Sequence, residues 1–269
     1  MQLGEIFTDA IKYPLSDYKK WMLVGVVVLC CSLQGVFAMM GIYNKALYAL
    51  FSLISLILTI LLMGYGLTVI KESIDLEDEI PDFDWVKNFV DGIKYLVVTL
   101  VYFIIPAIIV TIIGFSLGSG PLSVILTDSN VQKFIALNGT VTQADILSIA
   151  PQGVWNSLFT AIAITTIIAI VLFVLFAIFE YIAICRLAKY ESLGEAFRVG
   201  EIYSDIREIG LLKIIAYLII AIIISSIAGM IFAFVSAIPY VGIIIAALVG
   251  YSFILLFNNR ALGLLYSEI

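Results

Sequence analysis

The sequence predicts an all-α polytopic membrane protein. Its six transmembrane helices are arranged as three repeats, each an amphipathic surface helix followed by a helical hairpin. Three observations carry this reading. The 269 residues are 63% hydrophobic and 13% charged, where an ordinary soluble domain is roughly 45–50% apolar and about 25% charged. Mean hydropathy is +1.16. Apolar runs of about 17 residues or more recur along the chain, each long enough to cross a hydrocarbon core of about 30 Å.

The runs cover Met22–Ile42, Ala46–Ile70, Tyr95–Leu117, Val154–Cys185, Leu211–Ala237 and Val241–Phe257. The third is expected to stop at the breaker cluster Gly118-Ser119-Gly120-Pro121, and the sixth at Asn258-Asn259-Arg260. Helices are the expected form, because an open-chain segment in lipid must satisfy its own backbone hydrogen bonds. Ahead of the first run, Leu3, Ile6, Phe7, Ala10 and Ile11 make a helical apolar stripe that ends at Pro14. Ahead of the third, Phe83, Val86, Phe89, Val90 and Ile93 do the same, with Asp82 as the candidate cap. Ahead of the fifth, Leu193, Ala196 and Phe197 begin a third stripe, and Ser192-Leu-Gly-Glu195 reads as a capping box. Leu3-Gly-Glu-Ile-Phe7 and Leu193-Gly-Glu-Ala-Phe197 share letters. A single membrane domain, 1–269, with repeat units near 1–74, 75–190 and 191–269 follows, and an outer loop spans 119–153. That loop holds apolar clusters near 122–126, 131–137 and 144–149, so it is expected to fold over the outer ends of the third and fourth spans.

Orientation follows from the loops. Of the 14 Lys and Arg, only Lys45 and Lys133 fall on one side, and positive residues favour the cytoplasm. Both termini are therefore expected in the cytoplasm, with the protein in the plasma membrane. The first 20 residues carry Glu5, Asp9 and Asp17 and are not expected to act as a cleaved leader. The chain has no His, which removes Ser–His and Cys–His nucleophile pairs and His metal sites. A net charge of −6 argues against a nucleic-acid partner. Cys30, Cys31 and Cys185 read as buried apolar residues.

Between lipid-immersed helices, small residues permit close backbone approach. Ser225, Gly229 and Ala233 in the fifth span, and Gly242, Ala246 and Gly250 in the sixth, are the expected packing positions of a tight hairpin. Pro106 is expected to kink the third span.

The stretch from Gly64-Tyr65-Gly66, through Glu77-Asp78-Glu79-Ile80-Pro81-Asp82-Phe83-Asp84-Trp85 and Phe89-Val90-Asp91-Gly92-Ile93-Lys94, to Tyr102 and Pro106 resembles the archaeal and bacterial family catalogued as domain of unknown function 4013. The isoleucine-rich composition fits such a source. More loosely, the hairpin-plus-surface-helix plan is similar to membrane domains of glycerophosphodiester phosphodiesterases. The resemblance implies membrane location and architecture and supplies no catalytic residue.

Polar groups inside a membrane are functional candidates by default. Gln34 and Glu180 are the two here, with Glu180 expected to pair with a cation near the inner boundary. Arg186, Asn258, Asn259 and Arg260 are candidate headgroup positions that would converge with Glu180 if the chain acted on lipid headgroups. Seven acids between Glu72 and Asp84 read as a solvated acidic loop, since the spacing is not that of a calcium loop. Asn138-Gly139-Thr140 is a formal glycosylation sequon. No catalytic residue, metal or cofactor is assigned. The favoured reading is a non-enzymatic, lipid-associated scaffold or assembly partner. A channel or uncoupled carrier for a small or lipidic solute is the alternative, and a lipid-headgroup enzyme the third. Membrane lipids are the expected partners; a protein partner or homo-oligomer stays open.

Overall fold

A computed structural model describes residues 1–42, 44–136, 142–239 and 241–269. The described residues form helices and no strand. The chain divides into two units, Met1–Leu100 with Ile178–Ile269, and Val101–Ala177. Five helices are long and apolar enough to cross a membrane, and six when one bent pair counts as a single span.

In the first unit, helix α1 (Leu3–Lys12) buries Ile6, Phe7 and Ala10 and ends in a 3-10 turn at Tyr13–Leu15. Its apolar stripe does not simply lie on a surface. The Phe7 ring stacks on Tyr217 at 5.4 Å and meets Phe257 at 6.1 Å. Helix α2 (Tyr18–Cys31) begins at Asp17, whose carboxylate accepts from the Lys19 and Lys20 amides. The first expected span does not run straight: α2 bends by 58° into α3 (Leu33–Met39). Ser32 at the break donates its hydroxyl to the Val28 carbonyl, the back-bonding that bends helices. Helix α4 (Lys45–Ile74) returns the chain. It meets the first turns of α5 (Trp85–Ile125) backbone to backbone: a Cβ at Gly64 would fall on the Asn88 carbonyl, and one at Gly92 on the Ile60 carbonyl. This reciprocal glycine contact follows the small-residue rule at positions the sequence stripes did not single out.

The amphipathic segment before the third span is therefore not a separate surface helix. It forms the opening turns of α5. The cap is Asp84, which accepts from the Val86 and Lys87 amides, rather than Asp82. The three expected units of surface helix plus hairpin are therefore not reproduced as equal repeats.

The second unit holds the rest of α5, then α6 (Asp128–Ala136), α7 (Gln143–Ser148) and most of α8 (Gln152–Tyr190). Here α5 runs through Gly118-Ser119-Gly120-Pro121, where a stop is expected from the sequence. A proline inside a helix removes one backbone bond, whereas leaving the helix in an apolar setting would free several groups. The segment joining the third and fourth spans thus begins near Leu126 rather than at 119. Asn130 donates to the Val124 and Ile125 carbonyls and closes the end of α5. Thr142 and Asp145 cap α7 reciprocally. Ile146 and Ile149 pack on Ile125, Ala150 and Trp155, and the Trp155 indole donates to the Leu147 carbonyl at 3.2 Å. Asn138 and its sequon lie outside the described residues.

Back in the first unit, the expected capping box at Ser192 does not close. In the single-turn helix α9 (Leu193–Ala196) no Ser192 side-chain cap bond forms, and the Glu195 carboxylate is taken up by Arg186 and Arg198. The longer amphipathic helix is α10 (Val199–Ile209), which buries Ile202, Ile206 and Ile209. Helix α11 (Leu211–Ser236) leads to α12 (Val241–Tyr266). The last helix does not stop at Asn258-Asn259-Arg260: it runs on to Tyr266, with Arg260 itself buried and paired. It packs against α1, α2, α4 and α11 and is the hub of the unit. Of the expected packing positions, Ala246 is fully buried, a Cβ at Gly242 would fall on the Val235 carbonyl, and one at Gly250 on the Phe232 ring. Ser225 donates to Asn258 Oδ1 at 3.1 Å. Gly229 and Ala233 are a correction: a Cβ at Gly229 would meet no atom within 4 Å, and Ala233 is exposed. The i+4 stripe of α11 leaves the interface after its first turns, where only Ile214, Tyr217 and Ala221 are buried.

Candidate functional site

Two polar features stand out in the first unit. One surrounds Gln34. The bend at Ser32 breaks the helix ladder, and the Cys31 carbonyl is instead satisfied by the Ser55 hydroxyl of α4 at 3.1 Å. The Ser52 hydroxyl donates to Gln34 Oε1 at 3.4 Å. Opposite, α12 takes a π-helical turn over Ala246–Tyr251, a local widening found frequently at functional sites. Between the bent α2–α3 pair and this turn lies a cleft of about 510 Å³, lined by Cys31, Gln34, Tyr48, Ser236, Ile243 and Tyr251. Its walls combine apolar side chains with a few hydroxyl and amide groups. That is the composition of a small-molecule site.

The other feature is an ionic layer beyond the far end of α4. Arg260 is 2% exposed and bonds Asp9 Oδ1 at 2.8 Å, Asp78 Oδ1 at 2.9 Å and the Glu77 carbonyl, with its guanidinium 4.8 Å over the Tyr13 ring. The acidic stretch 75–84 is therefore not a free solvated loop. Besides Arg260 on the Glu77 carbonyl, the Tyr13 hydroxyl donates to the Glu79 carbonyl, Lys20 Nζ to the Ile80 carbonyl and the Tyr65 hydroxyl to the Pro81 carbonyl. Burial pushes the Tyr13 phenol up, against the opposing pull of Arg260, so this hydroxyl stays a donor.

The expected convergence of headgroup residues is not what the structure shows. Arg186 belongs to a separate network: Nη1 bonds Asp205 at 2.8 Å, Nη2 bonds Glu195 at 2.6 Å, and the Tyr266 hydroxyl donates to the same Asp205 at 2.7 Å. Arg186 and Arg260 share no partner in these networks. Among the described residues, no cation pairs with Glu180. It is 9% exposed and stands near Thr99, Tyr95 and Tyr181, while Arg186 is taken up by the α9–α10 carboxylates. Asn258 accepts from Ser225, and Asn259 donates to the Leu255 carbonyl of its own helix at 2.9 Å. Among the described residues, no group of three or more His, Cys, Asp or Glu is placed to hold a metal ion.

Sequence reasoning missed Asp205, Tyr266 and Asn88. The first two lie on amphipathic faces where a polar residue reads as solvated, and only the fold shows them turned toward Arg186. Asn88 is 1% exposed although it lies one position after Lys87 in a polar stretch.

A family model described as "Protein of unknown function (DUF4013)" matches residues 47–239. The chain belongs to that family. No curated protein and no solved structure matches it.

Proposed function

We propose, from that membership and the geometry above, that the protein is a non-enzymatic membrane protein that holds a lipidic solute in the Gln34 cleft. It would act as an uncoupled carrier or lipid-presenting subunit, in the plasma membrane with both termini cytoplasmic. The cleft carries the reading. Its volume of about 510 Å³ falls in the range of small-molecule pockets, about 300–1,000 Å³. It sits where two spans depart from regular helix, and its polar groups are few: Gln34, Tyr48, Tyr251 and two serines. An acyl chain suits the apolar wall, and an ester or hydroxyl of the solute suits the Gln34 amide. No charged residue stands among the described lining groups, which favours an uncoupled process. The scaffold reading, which rests on the arginine-locked layer, remains compatible with a resident lipid.

Native mass spectrometry of the detergent-purified protein tests this. Gln34→Leu removes the amide, and Gly35→Phe fills the space, since a Cβ at Gly35 would already stand 3.2 Å from Ile243. Both are expected to lower the lipid retained relative to the lipid-facing control Ile223→Leu. Equal lipid retention in all three would defeat the proposal.

A further inference from the structure

The structure assigns a second binding site: the pocket over the first turn of α5 binds a phosphoethanolamine group, either as a lipid headgroup or free. This site lies apart from the Gln34 cleft and does not depend on it. The pocket encloses about 370 Å³, room for roughly a dozen waters at about 30 Å³ each. At its floor Asn88 is 1% exposed. The Asn88 Oδ1 accepts from the Thr68 hydroxyl at 3.3 Å, but its amide nitrogen has no hydrogen-bond partner. Buried donors are almost always satisfied. The Asn88 backbone is fixed by its close approach to Gly64 of α4. The orphan nitrogen therefore calls for an acceptor from outside the protein.

Around that floor, Glu72, Glu77, Glu79, Asp82 and Asp84 line the pocket with Lys20 and Lys87. The acids are held on a fixed backbone, since Tyr13, Lys20 and Tyr65 each bond a carbonyl of this stretch. Lys20 pairs with Asp82 at 3.0 Å and Lys87 with Glu191 at 3.5 Å. Each ammonium has three donors, which leaves capacity toward the pocket. A simple anion would satisfy Asn88 but meets five carboxylates against two lysines. A bare cation suits the carboxylates, but no three of the described acids are placed to chelate it, and it offers Asn88 nothing to donate to. A zwitterion answers both demands. Its phosphate oxygens accept from Asn88 Nδ2, Lys20 and Lys87, and its ammonium donates to the surrounding carboxylates. An ammonium carrying N–H groups donates hydrogen bonds to these carboxylates, which the trimethylated choline analogue cannot do. Thr68 and Asn88 stand at the ends of two long apolar helices, where headgroups of a bilayer lie within reach.

The experiment uses the full chain in nanodiscs of phosphatidylglycerol alone, or with phosphatidylcholine or phosphatidylethanolamine added, read by thermal unfolding and by native mass spectrometry of bound lipid. Retention of phosphatidylethanolamine is expected to exceed that of phosphatidylcholine by about tenfold, the scale of losing charge-assisted hydrogen bonds. Glu79→Gln with Asp82→Asn, both on exposed side chains, should remove the preference without unfolding the protein. Asn88→Ser should weaken it as well. Soluble phosphoethanolamine added to phosphatidylglycerol discs separates the sources: stabilisation there assigns the free compound, and stabilisation by the lipid only assigns the headgroup. Equal retention of the three lipids with no response to the soluble compound overturns the assignment. So does stabilisation by magnesium or by inorganic phosphate alone that matches phosphoethanolamine.

Discussion

Arg260 allows a sharp test of the ionic layer, because its burial and that of its partners differ. Its side chain is 2% exposed, whereas Asp9 is 37% and Asp78 88% exposed. Replacing Arg260 by Leu removes a buried charge and leaves two carboxylates that water can reach. The cost is the lost hydrogen bonds to partly solvated groups, about 1–3 kcal/mol. Replacing both acids, Asp9→Asn with Asp78→Asn, does the opposite. It strands a guanidinium with only the Glu77 carbonyl and the Tyr13 ring, and a buried charge without its partner costs about 3–5 kcal/mol. The double acid variant should therefore be less stable than Arg260→Leu. Adding Arg260→Leu to the double variant should restore about 1–2 kcal/mol, because the stranded charge is gone. Cys185 is a natural reporter, being fully buried. With Cys30 and Cys31 changed to Ala, its reaction with a thiol-specific dye during denaturation in detergent reports unfolding. A triple variant no more stable than the double would refute the reasoning, and would mean that the guanidinium is solvated or that the acids contribute through other contacts.

Three further outcomes follow from the packing and charge of the same unit. Gly250→Leu should destabilise by about 1–3 kcal/mol through overpacking on Phe232, while Gly229→Leu, facing open space, should leave thermal unfolding within experimental error of the parent. Glu191 is held below its usual value of 4.5, first by the hydrogen bond from Lys71 at 2.7 Å. Its contribution is complete above that usual value and is lost as pH falls through the lower folded-state value, so Glu191→Gln should lower stability slightly at pH 7 and flatten the profile below about pH 4.5, where the variant and parent converge. Cysteines placed at Ser129 and Ser267, in a chain without its native thiols, should label from opposite sides of a sealed vesicle. Labelling of both from one side contradicts the three crossings expected between them and the proposed orientation of the ends.

The spans were legible because an apolar run of membrane length has few alternatives. What sequence could not show was where a helix ignores its local signals. Gly118-Ser119-Gly120-Pro121 reads as a stop, yet α5 continues to Ile125, since breaker propensities reflect competition with water that is weaker in an apolar setting. The converse happened at Ser32, where Cys-Cys-Ser-Leu-Gln carries no proline and the helix still bends by 58°. The stripe Leu3–Ile11 correctly announced a helix, but no local pattern names the surface it covers. Phe7 finds Tyr217 and Phe257, more than 200 residues away in the chain.

The candidate sites obey the same limit more severely. Gln34 could be singled out because one amide inside an apolar run is conspicuous. The acidic stretch was equally visible but its meaning was not: seven acids among polar neighbours are also the composition of a solvated loop. What turns it into a built surface is a set of donors aimed at four carbonyls within five residues, Arg260 at Glu77, Tyr13 at Glu79, Lys20 at Ile80 and Tyr65 at Pro81. They come from α2, α4, α12 and the turn after α1. None lies within ten positions of the acceptor it serves. A loop held by its backbone carbonyls keeps its carboxylates out of the hydrogen bonding that fixes it, apart from Asp78 on Arg260, Asp82 on Lys20 and the Asp84 cap. Structure and ligand capacity are thereby carried by different atoms of the same residues. That separation is why neutralising Glu79, whose carbonyl alone has a structural partner, should change what the pocket binds without changing the fold.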